Sequence, residues 1–156
     1  MKRLWLGLLA AAVVTPAQKL PVHVAGGLGY ATFIDESDQS HVTAGGSARF
    51  YLTRRNAIEP ELLYLYRNAA DKDLILQVNY VRDLGQARGR AVPYVIGGVG
   101  FLWGFRPRFT ETTGTLAGGF GVRIFGGNRF FVSPEVRFGT EPILRMQVSL
   151  GWASRR

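Results

Sequence analysis

Apolar and polar residues alternate along most of the chain. In residues 143–152, ILRMQVSLGW, the even positions hold large apolar residues and the odd positions from 145 hold Arg, Gln, Ser and Gly. The same period of two recurs in residues 41–52, 57–67, 74–80 and 130–139. Because successive side chains of a strand point to opposite faces of the sheet, this pattern predicts strands with one apolar and one polar face.

The chain divides into eight such segments. The intervening residues are rich in Gly, Asn, Asp and Pro, which favour turns. None of these gaps is long enough for a crossover helix, so neighbouring strands should pair antiparallel as hairpins. Eight strands at this spacing are typical of an all-β barrel or sandwich. The predicted strands cover residues 20–34, 41–52, 57–68, 74–84, 91–105, 111–126, 130–139 and 143–153.

The segment AVPYVIGGVGFLWGF, residues 91–105, tests the strand interpretation. It is uncharged and apolar, yet it is shorter than the roughly 20 residues that a spanning helix needs. Pro93 and four glycines are costly inside a helix, whereas the remaining Val, Ile and aromatic residues favour a strand. Tyr94 and Trp103 have opposite parity in this strand, so either a bulge or a different face assignment is needed to put both on one face.

The first residues, MKRLWLGLLAAAVVTPAQ, have the order of a secretory signal peptide: a basic start, an apolar middle and a small-residue exit. We therefore expect residues 1–17 to be a cleaved signal peptide and residues 18–156 to form one barrel domain. The chain has no cysteine, so disulfides cannot stabilise the exported protein. The formal charge is +8, and export together with scattered arginines argues against nucleic acid as a partner.

Strands that alternate apolar and polar residues fit two kinds of barrel. A soluble calyx buries its apolar face, whereas a membrane barrel turns that face to lipid and encloses its polar face. The polar faces here carry both signs of charge and are rich in arginine, which suits fixed ion pairs, while only Lys19 and Lys72 remain after the signal. We therefore favour the membrane barrel, with a polar network in its lumen. The predicted lumen residues are Arg49, Glu59, Glu61, Arg67, Gln77, Asn79, Arg123, Glu135, Arg137, Arg145 and Gln147.

Aromatic residues near strand ends fit the two interfaces of a membrane. With both termini in the periplasm, one girdle is predicted at the outer ends of the strands and one at the periplasmic ends. The outer set is Tyr30, Tyr64, Tyr66, Trp103 and Phe138, and the periplasmic set is Phe50, Tyr80, Tyr94, Phe130 and Trp152. Paired glycines within the strands indicate sharp curvature, close approach or bulges.

The stretches VPYVIGGVGF, AGGFGVRIF, FFVSPEVRFG and LRMQVSLGW resemble those of small bacterial outer-membrane proteins of the OmpA/OmpX-like superfamily. The likeness spans residues 20–153. It implies an eight-stranded antiparallel up-and-down transmembrane β-barrel, a lumen filled by side chains, and insertion by the outer-membrane assembly machinery. Family members often end on an aromatic residue, whereas ASRR follows Trp152 here.

We expect a non-enzymatic protein of the bacterial outer membrane that contributes to envelope integrity or surface interaction. The alternatives are a secreted soluble barrel that binds a small apolar ligand and, with less support, a lipid A-modifying enzyme. Relatives that act on lipid A use a histidine with a serine, but here only His23 and His41 exist, and a histidine near a strand end is usually a surface residue. An open pore is not expected, because eight strands enclose only enough space for side chains.

The expected partners are outer-membrane lipids and lipopolysaccharide, with the protein as a monomer. Arg106 and Arg108, in an outward loop, are candidates to contact lipopolysaccharide phosphates. No cofactor is expected, and no Cys/His cluster predicts a transition-metal site. Carboxylates in the loop DESDQS are oxygen ligands that suit Ca²⁺ or Mg²⁺, but solvated loop charges are the simpler interpretation. Arginines in periplasmic turns either meet anionic head groups or keep the turns soluble; they are Arg54, Arg55, Arg88, Arg90, Arg155 and Arg156.

Overall fold

The computed structural model describes residues 20–33, 40–68, 71–85, 89–106 and 109–154. The predicted signal peptide, residues 1–17, lies outside them. The described residues form eight strands in chain order. They are β1 (Val22–Thr32), β2 (Ser40–Tyr51), β3 (Asn56–Asn68), β4 (Asp71–Asp83), β5 (Ala91–Arg106), β6 (Phe109–Phe125), β7 (Phe130–Gly139) and β8 (Leu144–Ala153).

The eight-stranded antiparallel barrel predicted from the sequence is confirmed. Each strand pairs antiparallel with the next, and β8 pairs with β1 from His23↔Ala153 to Thr32↔Leu144, which closes the sheet. Closure removes the free edges that an open sheet would expose. The strand β4 begins at Asp71 rather than at residue 74. Polar residues at its start hid the strand, although Asp73 points into the barrel and is buried.

The two faces of the sheet are inverted relative to a soluble barrel. Along β8, Arg145 is 3% exposed, whereas its neighbour Met146 is 48% exposed and Leu150 is 67% exposed. The same alternation holds in β7, where Arg137 is buried and Phe138 is exposed. Charged side chains are therefore enclosed and large apolar side chains cover the outside, as in transmembrane barrels. A soluble calyx would show the reverse.

No helix among the described residues is both long and apolar enough to span a membrane.

Two ends of the barrel can be distinguished. The terminal end holds the start of β1, the end of β8 and the connections β2–β3, β4–β5 and β6–β7; the distal end holds the other connections. Apolar clusters occupy the lumen near both ends; the main polar network lies between them, and other buried polar residues, such as Asp83 and Asp73, lie beside them. The distal cluster is Ala31, Leu63, Leu65, Ile75 and Leu102. The terminal clusters are Tyr51, Ala57, Val81, Tyr94 and Ile96, and beside them Val92, Phe125, Phe131 and Ala153.

The placement of Tyr94 in the periplasmic girdle is wrong. Tyr94 is 2% exposed and lies in the lumen, and the even positions of β5 face inward. The β5 register runs without a shift against both neighbours, so the parity of Tyr94 and Trp103 needs no bulge. The other predicted girdle residues lie on the outer face.

Glycines make room for large side chains that lie over the neighbouring strand. A Cβ at Gly121 would meet the Tyr94 ring, with 2.6 Å to Cζ, and a Cβ at Gly151 would overlap the Phe131 ring. Any larger residue at these two positions would displace an aromatic ring. Of the roles predicted for the paired glycines, close approach is the one observed here.

Candidate functional site: the enclosed polar network

The inward rows of six strands bring the predicted polar residues together. Because every second residue of a strand faces the lumen, the odd positions of β2, β3, β4, β6, β7 and β8 all contribute. Nine of the eleven predicted residues are at most 5% exposed. These nine are Arg49, Glu59, Glu61, Gln77, Asn79, Arg123, Glu135, Arg137 and Arg145.

Arg137 lies at the centre of the network. Its Nε donates to Glu135 Oε1 at 2.5 Å, and its Nη1 donates to Glu61 Oε2 at 2.9 Å and to Asn79 Oδ1 at 3.2 Å. Its Nη2 also lies 3.7 Å from Glu59 Oε1. One guanidinium therefore joins β7 to β3 and β4 across the lumen, using the planar array of donors that only arginine offers.

Glu61 is shared between two arginines. Arg145 Nη2 donates to Glu61 Oε2 at 2.8 Å, in addition to the bond from Arg137. Gln147 Nε2 lies 3.4 Å from Glu61 Oε1 and donates to Glu135 Oε1 at 3.1 Å. The Glu61 carboxylate therefore holds β3 to both β7 and β8.

Arg49 and Tyr94 extend the network toward the terminal end. Arg49 Nε donates to Glu59 Oε2 at 2.5 Å, and its guanidinium carbon lies 4.5 Å from the centroid of the Tyr94 ring. The Tyr94 hydroxyl donates to Glu135 Oε2 at 2.8 Å and shares a hydrogen bond of 2.9 Å with Ser133. Tyr94 is thus a polar member of the lumen as well as part of its apolar packing.

A second ionic cluster at the terminal end was not foreseen from the sequence. Arg123 forms an ion pair with Asp83 and a hydrogen bond with Tyr51, and Tyr51 donates to Asp83 Oδ2 at 2.9 Å. Arg123 Nη1 also lies 2.8 Å from His23 Nδ1. Of these four residues only Arg123 was predicted. Asp83 is the last residue of β4, beside a turn, and a carboxylate at such a position is usually solvated.

The expectation that the histidines lie on the surface is wrong. His23 is 6% exposed and stacks edge-on against Tyr51, with the ring centroids 5.0 Å apart. His41 is 2% exposed, with Nε2 at 3.9 Å from Asp73 Oδ2, and packs against Phe33. Both lie on inward rows: His41 has the parity of Arg49 in β2, and His23 is the partner of Arg49 in the pairing of β1 with β2.

Two predicted network members differ from the rest. Gln147 is half-buried but bonded, as described above. Arg67 lies near the distal end of β3, at a register irregularity between Tyr66 and Asn68, and its side chain is exposed. It is therefore placed outside the buried network. Of the candidate lipopolysaccharide contacts, Arg108 lies outside the described residues, as does the side chain of Arg106.

The network is close to electrically neutral. Four buried arginines are matched by Glu59, Glu61, Glu135 and Asp83, and the fifth buried carboxylate, Asp73, lies beside His41. Matching matters because an ion buried without a partner costs several kcal/mol, roughly 3–5 when one member of a pair is removed. Some polar atoms of this layer have no protein hydrogen bond, including Gln77 Nε2 and Thr115 Oγ1.

The described part of the polar layer contains a small cavity. A cavity of about 20 Å³, lined by Arg49, Glu59 and Ser133 among others, is the size of one water molecule. Within the part of the chain that the structure describes, no three His, Cys, Asp or Glu side chains are grouped to hold a metal ion. The arrangement links strands across the barrel and fills its interior.

Several solved structures share the fold of this barrel. The N-terminal β-barrel domain of Pseudomonas aeruginosa OprF superposes with a TM-score of 0.67 at 14% identity, covering 85% of this chain and 96% of that one. Neisserial surface protein A gives 0.65 at 11% identity, with coverage of 88% and 97%. Ail, the attachment invasion locus protein of Yersinia pestis, gives 0.54 at 10% identity, with coverage of 86% and 98%.

Sequence comparisons detect no relatives of this chain. No protein-family model matches the chain, and no curated protein matches it. At these low identities the structural likeness defines the fold, which both the closed strand order and the inverted faces support. The chain is an eight-stranded transmembrane β-barrel with the architecture of the small OmpA/OmpX-like outer-membrane proteins.

Proposed function

We propose that this protein is a non-enzymatic barrel of the bacterial outer membrane that contributes to envelope integrity without forming an open pore. The observation that carries the proposal is the interior formed by the described residues: a nearly neutral ionic network crosses the lumen, and apolar clusters pack near both of its ends. A protein with this interior offers its outer surface and its two ends for function.

The outer-membrane location is supported by two independent features. The sequence begins with the pattern of an export signal, and the fold is that of barrels found in bacterial outer membranes. The exposed apolar face needs hydrocarbon around it, since soluble monomers rarely expose contiguous apolar patches larger than a few hundred Å². The alternative of a soluble barrel with an apolar ligand site loses its basis, because the lumen is ionic.

A channel function is disfavoured by the energetics of the network. An ion that passed Arg137 would have to separate it from Glu61, Glu135 or Asn79, all within 3.2 Å. Breaking buried pairs costs several kcal/mol because each charge loses its partner in a medium of low dielectric constant. Envelope support requires only that the closed barrel is abundant and stable.

Lipid A chemistry is disfavoured by the position of the histidines. His23 and His41 face the lumen, whereas a lipid substrate approaches the outer face. The contacts of His23 are with Arg123, Tyr51, Phe125 and Phe131, a set that packs and orients the ring.

Three measurements test the proposal. The folded protein should stay in the membrane fraction after a urea or carbonate wash and should migrate differently on gels with and without boiling. In planar bilayers it should add no steady conductance, with an open porin as the positive control. Deleting the gene should raise sensitivity to detergents, and the native gene should restore resistance without changing the mass of lipid A. Steady conductance or a shift in lipid A mass would contradict the proposal.

A further inference from the structure

The terminal end of the barrel is strongly basic. Its three turns all carry exposed arginines, with Arg54 and Arg55 in the first, Arg90 in the second and Arg129 in the third. Among the described residues of this end, both carboxylates near it, Glu59 and Asp83, are buried, so none is exposed to balance these charges. The positive charge therefore faces outward at the level where the apolar surface ends.

An apolar groove lies directly beside the third turn. It has a volume of about 590 Å³ and runs over the outer faces of β7, β8 and β1. Phe130, Val132, Leu150 and Trp152 contribute side chains to it. Gly26, which pairs with Leu150, has no side chain and leaves the groove open toward β1.

Arg129 and the groove are joined through one aromatic ring. The guanidinium carbon of Arg129 lies 5.6 Å from the centroid of the Trp152 ring, which lines the groove. The amide of Ala153 donates to the carbonyl of Arg129 at 2.9 Å, which fixes the turn against β8. Arg129 is not itself in the lining of this groove but reaches its edge through Trp152. A second outer groove of about 600 Å³, over Phe120, Pro134 and Met146, also has no arginine in its lining. The groove at the third turn thus combines an apolar channel with a positioned cation.

We propose that this groove is a binding site for an anionic glycerophospholipid. One acyl chain lies in the groove, and the head-group phosphate pairs with Arg129. The occupant is a lipid because the groove opens onto the apolar outer face, and it is anionic because the exposed side chains at the rim are cationic. This inference rests on the membrane location but requires neither the closed lumen nor a role in envelope integrity.

Fluorescence of Trp152 can report the occupant directly. The chain has three tryptophans, so Trp5→Phe with Trp103→Phe leaves Trp152 alone. This single-tryptophan chain is folded into phosphatidylcholine vesicles that contain one of two quenching lipids. The quenching lipid is either phosphatidylglycerol or phosphatidylcholine, and each is brominated on one acyl chain. Bromine quenches tryptophan at contact. We expect the brominated phosphatidylglycerol to bind beside Trp152 about fivefold more strongly than the brominated phosphatidylcholine.

Two variants and their matched controls define the site. Arg129→Gln should abolish the preference, whereas Arg54→Gln, in another turn, should leave it intact. Gly26→Val should fill the groove and displace the acyl chain. We expect quenching by the anionic lipid to fall by about twofold or more. Gly97→Val is the control, because Gly26 and Gly97 both have their nearest Cβ neighbour at 3.8 Å and should accept a side chain equally.

The outcomes are distinct. Equal quenching by the two lipids would overturn the proposal, as would equal loss of preference in Arg54→Gln and Arg129→Gln, which would indicate a general charge effect of the rim. The groove would instead be assigned to a second copy of the chain if quenching by both lipids decreased as a cross-linkable dimer formed. That result would also overturn the proposal. Each variant is first checked for the gel shift of the folded barrel, so a loss of the membrane fold is separated from a loss of lipid binding.

Discussion

The inner and outer faces of one strand follow different rules. In β8, Arg145 is fixed by a specific partner on β3, while Val148 and Leu150 on the other face only need to be apolar. Inside, each charge depends on a residue on another strand, so identity and position both matter. Outside, contact with hydrocarbon depends on polarity alone. The comparison teaches that this barrel draws its specificity from the lumen and its place in the membrane from its outer face.

The sharpest way to break the inner rule is to remove the shared carboxylate. Glu61→Leu removes the carboxylate that Arg145 hydrogen-bonds and one that Arg137 hydrogen-bonds, although Arg137 keeps Glu135. We expect a loss of roughly 3–5 kcal/mol in the free energy of unfolding, because two buried cations lose compensation. Urea titration in lipid vesicles measures it, with Leu62→Val on the outer face of the same strand as the control. A loss no greater than that of the control would show that the network contributes little.

The outer rule is tested by placing a charge in hydrocarbon. Val148 is 51% exposed and pairs with Leu28 and Pro134 in the middle of the sheet. Val148→Arg should cost about 2–4 kcal/mol if that position is near the bilayer midplane. Trp152→Arg, at the terminal end of the same row, should cost roughly 0–1 kcal/mol because charges are tolerated near the interface. Equal costs for the two variants in vesicles would contradict the depth assignment.

A single hydroxyl gives a smaller effect on the inner face. Tyr94→Phe removes the bonds to Glu135 and Ser133 but keeps the ring that packs beside Gly121. The expected loss is about 1–3 kcal/mol, since buried acceptors lose their donor. The double variant Tyr94→Phe with Ser133→Ala should cost less than the sum of the single changes. Strict additivity would indicate that the two hydroxyls act independently.

The smallest effect is expected for an apolar exchange outside. Leu150→Val keeps the outer face apolar and should change the free energy of unfolding by about 0.5 kcal/mol or less, as surface substitutions usually do. The matching exchange inside, Leu65→Val, should cost more, because Leu65 is fully buried in the distal cluster. Similar losses at both positions would remove the distinction between the two faces.

The sequence predicted which face of the sheet a residue occupies better than it predicted the height of that residue in the barrel. Period-two alternation identified the strands and placed nine of the eleven predicted lumen residues at positions that are buried in the structure, because alternation depends only on neighbours along the chain. It gave no assignment for apolar residues of the inner face: in LLYLY, residues 62–66, consecutive apolar residues provide no contrast to show that Leu63 and Leu65 face inward. Tyr94 was misplaced for the related reason that an aromatic residue is compatible with either face.

Partners across the lumen were beyond the reach of the pattern. Arg137 on β7 meets Glu61 on β3 only because the stagger of the closed sheet brings them to one level. Asp83 and Tyr51 meet Arg123 for the same reason. Alternation gives the face of a residue but not its height in the barrel, so the ionic pairs had to come from the three-dimensional arrangement.

The most direct test of the account is a cysteine scan along β8. The chain has no native cysteine, so single spin labels can be placed at each position from 144 to 150 of the membrane-inserted protein. Collision rates with oxygen, which concentrates in hydrocarbon, should be high at Met146, Val148 and Leu150 and low at Gln147 and Ser149. High rates at the odd positions, or rates without a period of two, would contradict an enclosed ionic lumen within an apolar exterior.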